Sequence, residues 1–512
     1  MSALRSSHPA QQQIADALAW LRARVQPGAH LHADTRTIAA GDVFLAYAVD
    51  GADNRPFIDN AIERGAAAVL VQSEGFSGNI DAATMLAVPR LNELAGTIAS
   101  AWYGDPTDAM RVIGVTGTNG KTSCTNWISA ALTALGEPCA IIGTLGSGMP
   151  GQLMHTGFTT PDAPQLQRSL ANLRAAGAKG VAMEVSSHAL HQGRVNGTAF
   201  SVGVFTNLTQ DHLDYHGTFE AYEAAKARLF AWPELKAAVI NADDEAGRRM
   251  IASTNGHAKT IAYALEQHAD VQADAWIVAS NVRATATGTA FHIASDWGDT
   301  EIEVNTLGAF NVSNLLGVLG ALLASDLPFD AAVAELAKLE SVNGRMQRLG
   351  GRVQNDEPLV VIDYAHTPDA LEKTLTALRP IADARSGKLI CMFGCGGDRD
   401  ATKRPLMGAI AERCADAVVV TSDNPRSEDP QKIIDQIAAG MKDESKARRI
   451  EDRASAILQA VRCAAREDVV VLAGKGHEST QEIMGKKRAF SDQDHARLAL
   501  AARATHGRGG GE

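Results

Sequence analysis

The sequence predicts an α/β protein of three domains, built on parallel sheets covered by helices on both faces. Three observations lead there. A chain of 512 residues exceeds what one core supports, since hydrophobic cores stop growing at roughly 250–300 residues. Short β-branched runs alternate with Ala- and Leu-rich helical segments from end to end, the pattern of strands buried by crossover helices. Several apolar runs stop at Gly or Asp, and in open parallel sheets ligands collect beyond such carboxyl ends.

In chain order, residues 43–46 and 67–71 read as strands with a helical 60–65 between them, and the turn-rich Tyr103-Gly104-Asp105-Pro106 closes a first domain, 1–106. A second, 107–342, opens with a strand at 112–116, a loop at 117–121 and a helix at 122–135. Further strands are expected at 140–143, 181–185, 202–206 and 237–241. Residues 272–304 alternate apolar and polar with Thr and Gly breaks, predicting a small antiparallel meander packed at the edge. In a third domain, 343–506, runs at 359–363, 389–393, 417–421 and 469–473 place Asp363, Gly394, Asp423 and Gly474 at strand ends. The tail, 507–512, is too Gly-rich to pack and is expected to be disordered.

Composition excludes several classes. With 45% hydrophobic and 21% charged residues the chain reads as an ordinary soluble protein. A net charge of -11 disfavours nucleic acid, so an anionic substrate needs a local basic pocket. Six cysteines are too sparse for a disulfide scaffold and read as reduced thiols; Cys391 and Cys395 lack a second Cys/His pair and read as buried strand residues. The longest apolar stretch, 315–324, falls short of the ~20 residues of a membrane span, and the polar start has no signal-peptide core. We expect a cytoplasmic monomer.

The strongest motif is Thr116-Gly117-Thr118-Asn119-Gly120-Lys121-Thr122 between strand and helix. Successive backbone N–H groups and a helix N-terminus there face a polyphosphate, Lys121 supplies a point charge to the β- and γ-phosphates, and the Thr122 hydroxyl suits Mg²⁺. A glycine turn with a surface lysine is the bland alternative. The usual P-loop has Gly where Val115 stands. This shorter form resembles the ATP loop of the Mur ligase and folylpolyglutamate synthetase superfamily.

Other segments narrow the resemblance. Glu184-Val185-Ser186-Ser187-His188 puts a carboxylate and hydroxyls at a strand end, where a charged strand terminus is the plain reading. It resembles the Mur ligase segment in which Glu184 would bind Mg²⁺ and Ser186, Gln192 and Arg194 would hold the nucleotide-sugar peptide, with Thr159 and Thr160 as further contacts. The acid- and imidazole-rich 207–216 fits a zinc site on spacing, or a solvated helix start. The resemblance instead implies a magnesium-binding His212 and a CO₂-derived carbamate on Lys226, which by itself reads as an exposed helix lysine. It also implies ATP contacts from Asn311, for which a helix cap is the rival reading, and from Arg345. Asp363-Tyr364-Ala365-His366-Thr367-Pro368 resembles a family element near the ATP.

Asp423-Asn424-Pro425-Arg426 reads as an Asn-Pro turn. It also resembles the signature of Mur ligases that add meso-diaminopimelate, whose arginine takes the distal carboxylate. A planar guanidinium can do so bidentately, whereas a lysine substrate offers it only a like charge. Arg399, Gly474 and Glu478 match the remaining contacts, with Glu478 meeting the distal ammonium. Near the N-terminus, 33–36, 41–44 and 57–58 resemble the family's UDP-binding domain, with uridine contacts around Thr35, Asp50, Gly51 and Ala52, although Val49 and Asn54 stand where the family generally has Gly.

The resemblance thus spans nearly the whole chain. It implies a UDP-binding α/β domain, a P-loop ATPase domain and a Rossmann-like amino-acid-binding domain. The implied activity uses ATP and Mg²⁺ to join meso-diaminopimelate to UDP-MurNAc-L-Ala-D-Glu through an acyl phosphate. The rivals are a lysine-adding relative, a P-loop kinase or switch, and a non-catalytic scaffold.

Overall fold

The computed structural model describes residues 8–506 apart from 255, 267, 286–287 and 353–354; the tail 507–512 lies outside the described residues. Three sheets follow one another along the chain. The first has four parallel strands in the order Leu31–His32, Val43–Ala46, Ala68–Gln72, Met85–Val88. Val43, Phe44, Leu45 and Ala46 are all buried, and separate apolar clusters cover the two faces, one around Leu21, Leu91 and Ile98 and one around Phe44, Ile58 and Val71.

The central sheet has ten strands. Its parallel core runs Cys139–Gly143, Gly180–Glu184, Arg111–Thr116, Val202–Phe205, Ala237–Asn241, Lys259–Ala264. Helices Lys121–Ala134 and Ala309–Leu323 cover one face and Ala163–Ala175 and Glu245–Thr254 the other, because β-branched strands buried on both sides need two apolar layers. The apolar run at 315–324 falls in the first of those layers as a buried helix, and no helix among the described residues is long and apolar enough to cross a membrane.

The expected edge meander differs in one respect. Ala275–Ala284 pairs parallel to Lys259–Ala264, and only Thr289–Ser295 and Gly298–Val304 turn back antiparallel, so the segment continues the sheet instead of packing on it. Lys259–Ala264, not anticipated, presents an edge whose free N–H and C=O groups the next strand pairs.

The third sheet has six strands in the order Gln347–Gly350, Leu359–Asp363, Val469–Ala473, Leu389–Phe393, Ala417–Val420, Ala447–Arg449, parallel but for the first. Asp363 closes its strand, and Gly394, Asp423 and Gly474 lie just past theirs, all at one rim of the sheet. Cys391 is a buried strand residue, but Cys395 sits in the loop beyond, buried, with Sγ 3.7 Å from Met407 Sδ. Arg345 heads the passage into this sheet. A Cβ on Gly344 would stand 2.1 Å from the His477 amide nitrogen, so only glycine lets that passage lie against the 474–478 turn.

Candidate active site

The phosphate loop forms as its residue types require. Gly117 has φ 144 and a Cβ there would meet Thr206 Oγ1 at 1.9 Å, while Gly120, at φ 89, caps helix Lys121–Ala134. Thr118 N and Asn119 N are held by Asn207, through its carbonyl at 2.8 Å and its Oδ1 at 3.0 Å. Thr116 is wholly buried, and its hydroxyl finds no partner among the described residues. Lys121 Nζ donates to the Gly117 and Thr118 carbonyls, both at 2.8 Å. Burial pulls its ammonium below the ordinary lysine range, against the attraction of Glu184 and Asp211.

Beside the loop lies a buried oxygen cluster. Glu184 Oε1 accepts from Thr122 Oγ1 at 3.0 Å and Thr144 N at 2.8 Å, and Oε2 accepts from Thr144 Oγ1 at 3.2 Å. The carboxylate is 1% exposed and its hydrogen bonds come from neutral donors only. A buried anion so placed, next to a hydroxyl, suits a hard cation.

Lys226 departs from its plain sequence reading: it is 1% exposed, not a surface helix lysine. Its Nζ donates to the Gly117 carbonyl at 2.8 Å and lies 4.5 Å from the centroid of the Tyr222 ring. Among the described residues no carboxylate is paired with it; burial first, and the charge of Lys121 second, push its ammonium well below the usual range, partly opposed by Asp211.

The histidines of 207–216 come together with His188 and His191. His188 lies 4.9 Å from His212 and 5.4 Å from His216, ring to ring. The spacing that fits zinc is not realised: among the described residues no three His, Cys, Asp or Glu side chains are arranged to hold a metal. His212 occupies the left-handed region (φ 54), and burial lowers its imidazolium pKa, partly opposed by Asp211. Burial, aided by His212, pushes His188 down to about 4.

Most of the expected nucleotide-sugar-peptide residues cluster. Arg194 Nη1 donates to the Thr160 carbonyl at 3.1 Å and Nε to Gln192 Oε1 at 2.8 Å, and Ser186 Oγ caps the short helix after Glu184. Thr159 Oγ1 lies 3.0 Å from Thr144 Oγ1. From the N-terminal part of the chain Asp50, in the turn of a small hairpin, reaches this group with Oδ2 3.1 Å from His191 Nδ1, and Tyr47 lies within electrostatic reach of Arg194; Gly51 and Ala52 are exposed on the same turn as Asp50, and Thr35 starts a separate short helix. Asn54, one of the departures from the family pattern, has a local explanation. Its amide accepts from Tyr47 N at 2.6 Å and donates to Ala33 and Leu45 at 2.8 and 3.0 Å, stitching that loop.

Two clefts open between the central and third sheets. One, of about 180 Å³, is lined by Asn119, Gly120, Asn311, Arg345, Tyr364 and His366 among others. Asn311 is not the helix cap, a position Gly308 holds, but it ties the helix start by donating to the Leu307 carbonyl at 2.9 Å. Arg345 stacks over Tyr364 at 4.3 Å and donates to Thr122 Oγ1 at 3.2 Å, joining third domain to phosphate loop.

The other cleft, of about 880 Å³, runs from Thr144 and Thr159 to Asn424, Arg426 and Glu478. Arg426 sits at φ 50 with Nη1 on the Gly397 carbonyl at 2.7 Å, and its backbone N–H and C=O both bond the 480–489 hairpin. Glu478 Oε2 accepts from Asn424 Nδ2 and Lys475 Nζ, both at 2.7 Å. Arg399, Asp423, Pro425 and Gly474 do not line this cleft: Arg399 is exposed beside it, and Asp423 is buried, its carboxyl pushed up by burial.

Sequence reasoning passed over Thr144, Tyr215, Lys475 and Arg453. Thr144 follows a buried strand, so the strand-end rule applied elsewhere would have found it. Tyr215 bonds Gln192 and His191, both at 3.0 Å. Arg453 forms a wholly buried pair with Asp492 and donates to the Ser422 and Ala473 carbonyls at 3.3 and 3.0 Å, bracing both turns of the cleft; no local pattern marks it.

Comparison with known proteins places the chain in a family. Residues 115–322 match the Mur ligase middle domain and 344–476 the Mur ligase, glutamate ligase domain. The chain is 58% identical over 503 residues to a Ralstonia nicotianae protein named UDP-N-acetylmuramoyl-L-alanyl-D-glutamate--2,6-diaminopimelate ligase, with 97% of each covered. A protein of the same name from Janthinobacterium sp. is 50% identical, over 96% of this chain and 98% of that one. A solved structure of a ligase with that name superposes with a TM-score of 0.66 at 38% identity, covering 93% of this chain and 96% of the other.

Proposed function

This chain belongs to the Mur ligase family, and from that premise we propose that it joins meso-diaminopimelate to the D-glutamate of UDP-MurNAc-L-Ala-D-Glu, at the expense of ATP, in peptidoglycan precursor synthesis. The observation that carries the reading is the larger cleft, with Thr144 and Thr159 of the phosphate-loop side at one end and Arg426 and Glu478 at the other. A guanidinium and a carboxylate in one pocket suit a substrate end bearing both a carboxylate and an ammonium. We assign residues 1–106 to UDP binding, 107–342 to ATP and 343–506 to the amino acid.

A carboxylate is a poor electrophile, so the γ-phosphoryl group of ATP passes to the D-glutamate γ-carboxylate, and the amine then displaces phosphate, leaving an amide, ADP and phosphate. Lys121 and the amides at the helix start, Gly120 to Thr122, hold the phosphates, those of Thr118 and Asn119 being bonded to Asn207. Thr122 and Glu184 would hold Mg²⁺, with His212 and Lys226 completing the set; the ion supplies charge compensation between phosphate and carboxylate. Lys226, buried and with its ammonium disfavoured by that burial, would react as the neutral amine, the form that adds CO₂ and loses a proton to become an anionic carbamate. Asn311 and Arg345 flank the nucleotide, and Thr159, Thr160, Ser186, Gln192 and Arg194 the peptide arm. The uridine end falls to Thr35, Asp50, Gly51 and Ala52.

Mass spectrometry of reactions containing ATP, Mg²⁺, UDP-MurNAc-L-Ala-D-Glu and meso-diaminopimelate tests this. A nucleotide tripeptide formed in step with ADP is expected; ADP without tripeptide would count against the assignment.

A further inference from the structure

Lys475 is wholly buried, and it is paired with Glu478, the carboxylate assigned above to the distal ammonium. Nζ lies 2.7 Å from Glu478 Oε2 and 3.2 Å from Asn424 Oδ1, and Asn424 Nδ2 reaches the same Oε2 at 2.7 Å. Glu478 Oε1 has no hydrogen-bond partner among the described residues, so one oxygen remains for substrate. Lys475 does not line the cleft; it stands behind it.

Histidines aside, Lys338, Arg426 and Lys487 line the cleft with Glu340, Glu478 and Glu482, and Lys338 is also paired with Glu335 at 2.7 Å; behind them Lys475 stands between Glu478 and Asp423, and Arg453 is paired with Asp492. A distal end carrying both an ammonium and a carboxylate brings no net charge to Glu478 and Lys475. A distal ammonium alone brings a second positive charge to a carboxylate that already has a cation at 2.7 Å.

We propose that Lys475 is a specificity-determining residue, a built-in cation that keeps Glu478 from binding a substrate with a lone distal ammonium, such as L-lysine. Discrimination then has two parts: Arg426 attracts the distal carboxylate, and Lys475 works against the competitor that lacks one. The inference rests on the amino-acid site proposed above. It assigns Lys475 a positioning role, acting through Glu478 and not through contact with substrate.

The test is the ratio of kcat/KM for meso-diaminopimelate to that for L-lysine in wild type, Lys475→Met and Lys475→Arg, with KM for ATP and nucleotide dipeptide measured alongside. Lys475→Met should narrow the ratio by about tenfold or more, with the other two KM values held within about twofold, and Lys475→Arg should restore most of it. Should the methionine variant fail to fold, Lys475→Gln, which keeps a donor for Asn424 and drops the charge, is read the same way. An equal loss with both amino acids, ratio unchanged, would make Lys475 a structural residue and overturn the inference. Wild-type protein that makes no product with either amino acid would instead overturn the reading of the site itself.

Discussion

The phosphate side and the amino-acid side of this molecule are built differently. On the phosphate side, one seven-residue loop supplies the amides, the lysine and the hydroxyl, and two glycines give it its shape. On the amino-acid side, the pocket joins the turn 423–426 to a segment about fifty residues further along the chain, the turn 474–478 and the hairpin 480–489 that follows it, held by buried charges. Two residues of these segments, Arg426 and Met484, adopt positive φ without being glycine. Phosphates present the same geometry to any protein, so backbone suffices. An amino acid is recognised by its charge pattern, which side chains must supply and rigid neighbours must fix.

The largest expected effect sits on the phosphate side. Lys121→Met should lower turnover by roughly 10²–10³-fold, since it removes charge stabilisation that no neighbour replaces, while thermal unfolding stays cooperative. A loss under tenfold would break the contrast drawn here, because the loop lysine would then be dispensable.

On the other side the sharpest probe is Arg453 with Asp492, an ion pair with both side chains 0% exposed. Arg453→Met alone strands a buried carboxylate and should cost about 3–5 kcal/mol, whereas Arg453→Met with Asp492→Leu should recover most of that in urea unfolding. The double variant should nevertheless bind diaminopimelate more weakly, because the Ser422 and Ala473 carbonyls lose their shared donor. Normal amino-acid KM in a stable double variant would show that the turns hold without the brace.

A smaller effect belongs to Lys226. Its folded-state pKa lies well below that of the unfolded chain, so folding releases a proton, and the resulting penalty shrinks as pH rises toward the ordinary lysine value of about 10.4. In CO₂-free buffer Lys226→Met should therefore be more stable than wild type at pH 7, with the gap narrowing toward pH 9.5. A gap independent of pH would mean that the amine is not depressed.

The same contrast explains what could be read beforehand. The loop at 116–122 was legible because its chemistry is contiguous, and the strands at 237–241, 359–363, 389–393 and 469–473 because short apolar runs that stop at a polar residue or glycine fit buried parallel strands. Lys226 was not legible from its own helix: only the fold shows that this turn is pressed against Gly117, 109 residues away. Arg453 and Lys475 escaped for the same reason, since their meaning lies in partners such as Asp492 and Asn424 that no local spacing links to them. Resemblance identified Arg426 and Glu478, while the structure adds what stands behind them.

The central claim is that the Arg426 end of the cleft selects an amino acid with a distal carboxylate. Phosphate release with ATP, Mg²⁺ and UDP-MurNAc-L-Ala-D-Glu, compared for meso-diaminopimelate and L-lysine in wild type and Arg426→Ala, tests it directly. Release with diaminopimelate alone, lost in the variant, is the predicted result; equal release with lysine in the wild-type protein would contradict it.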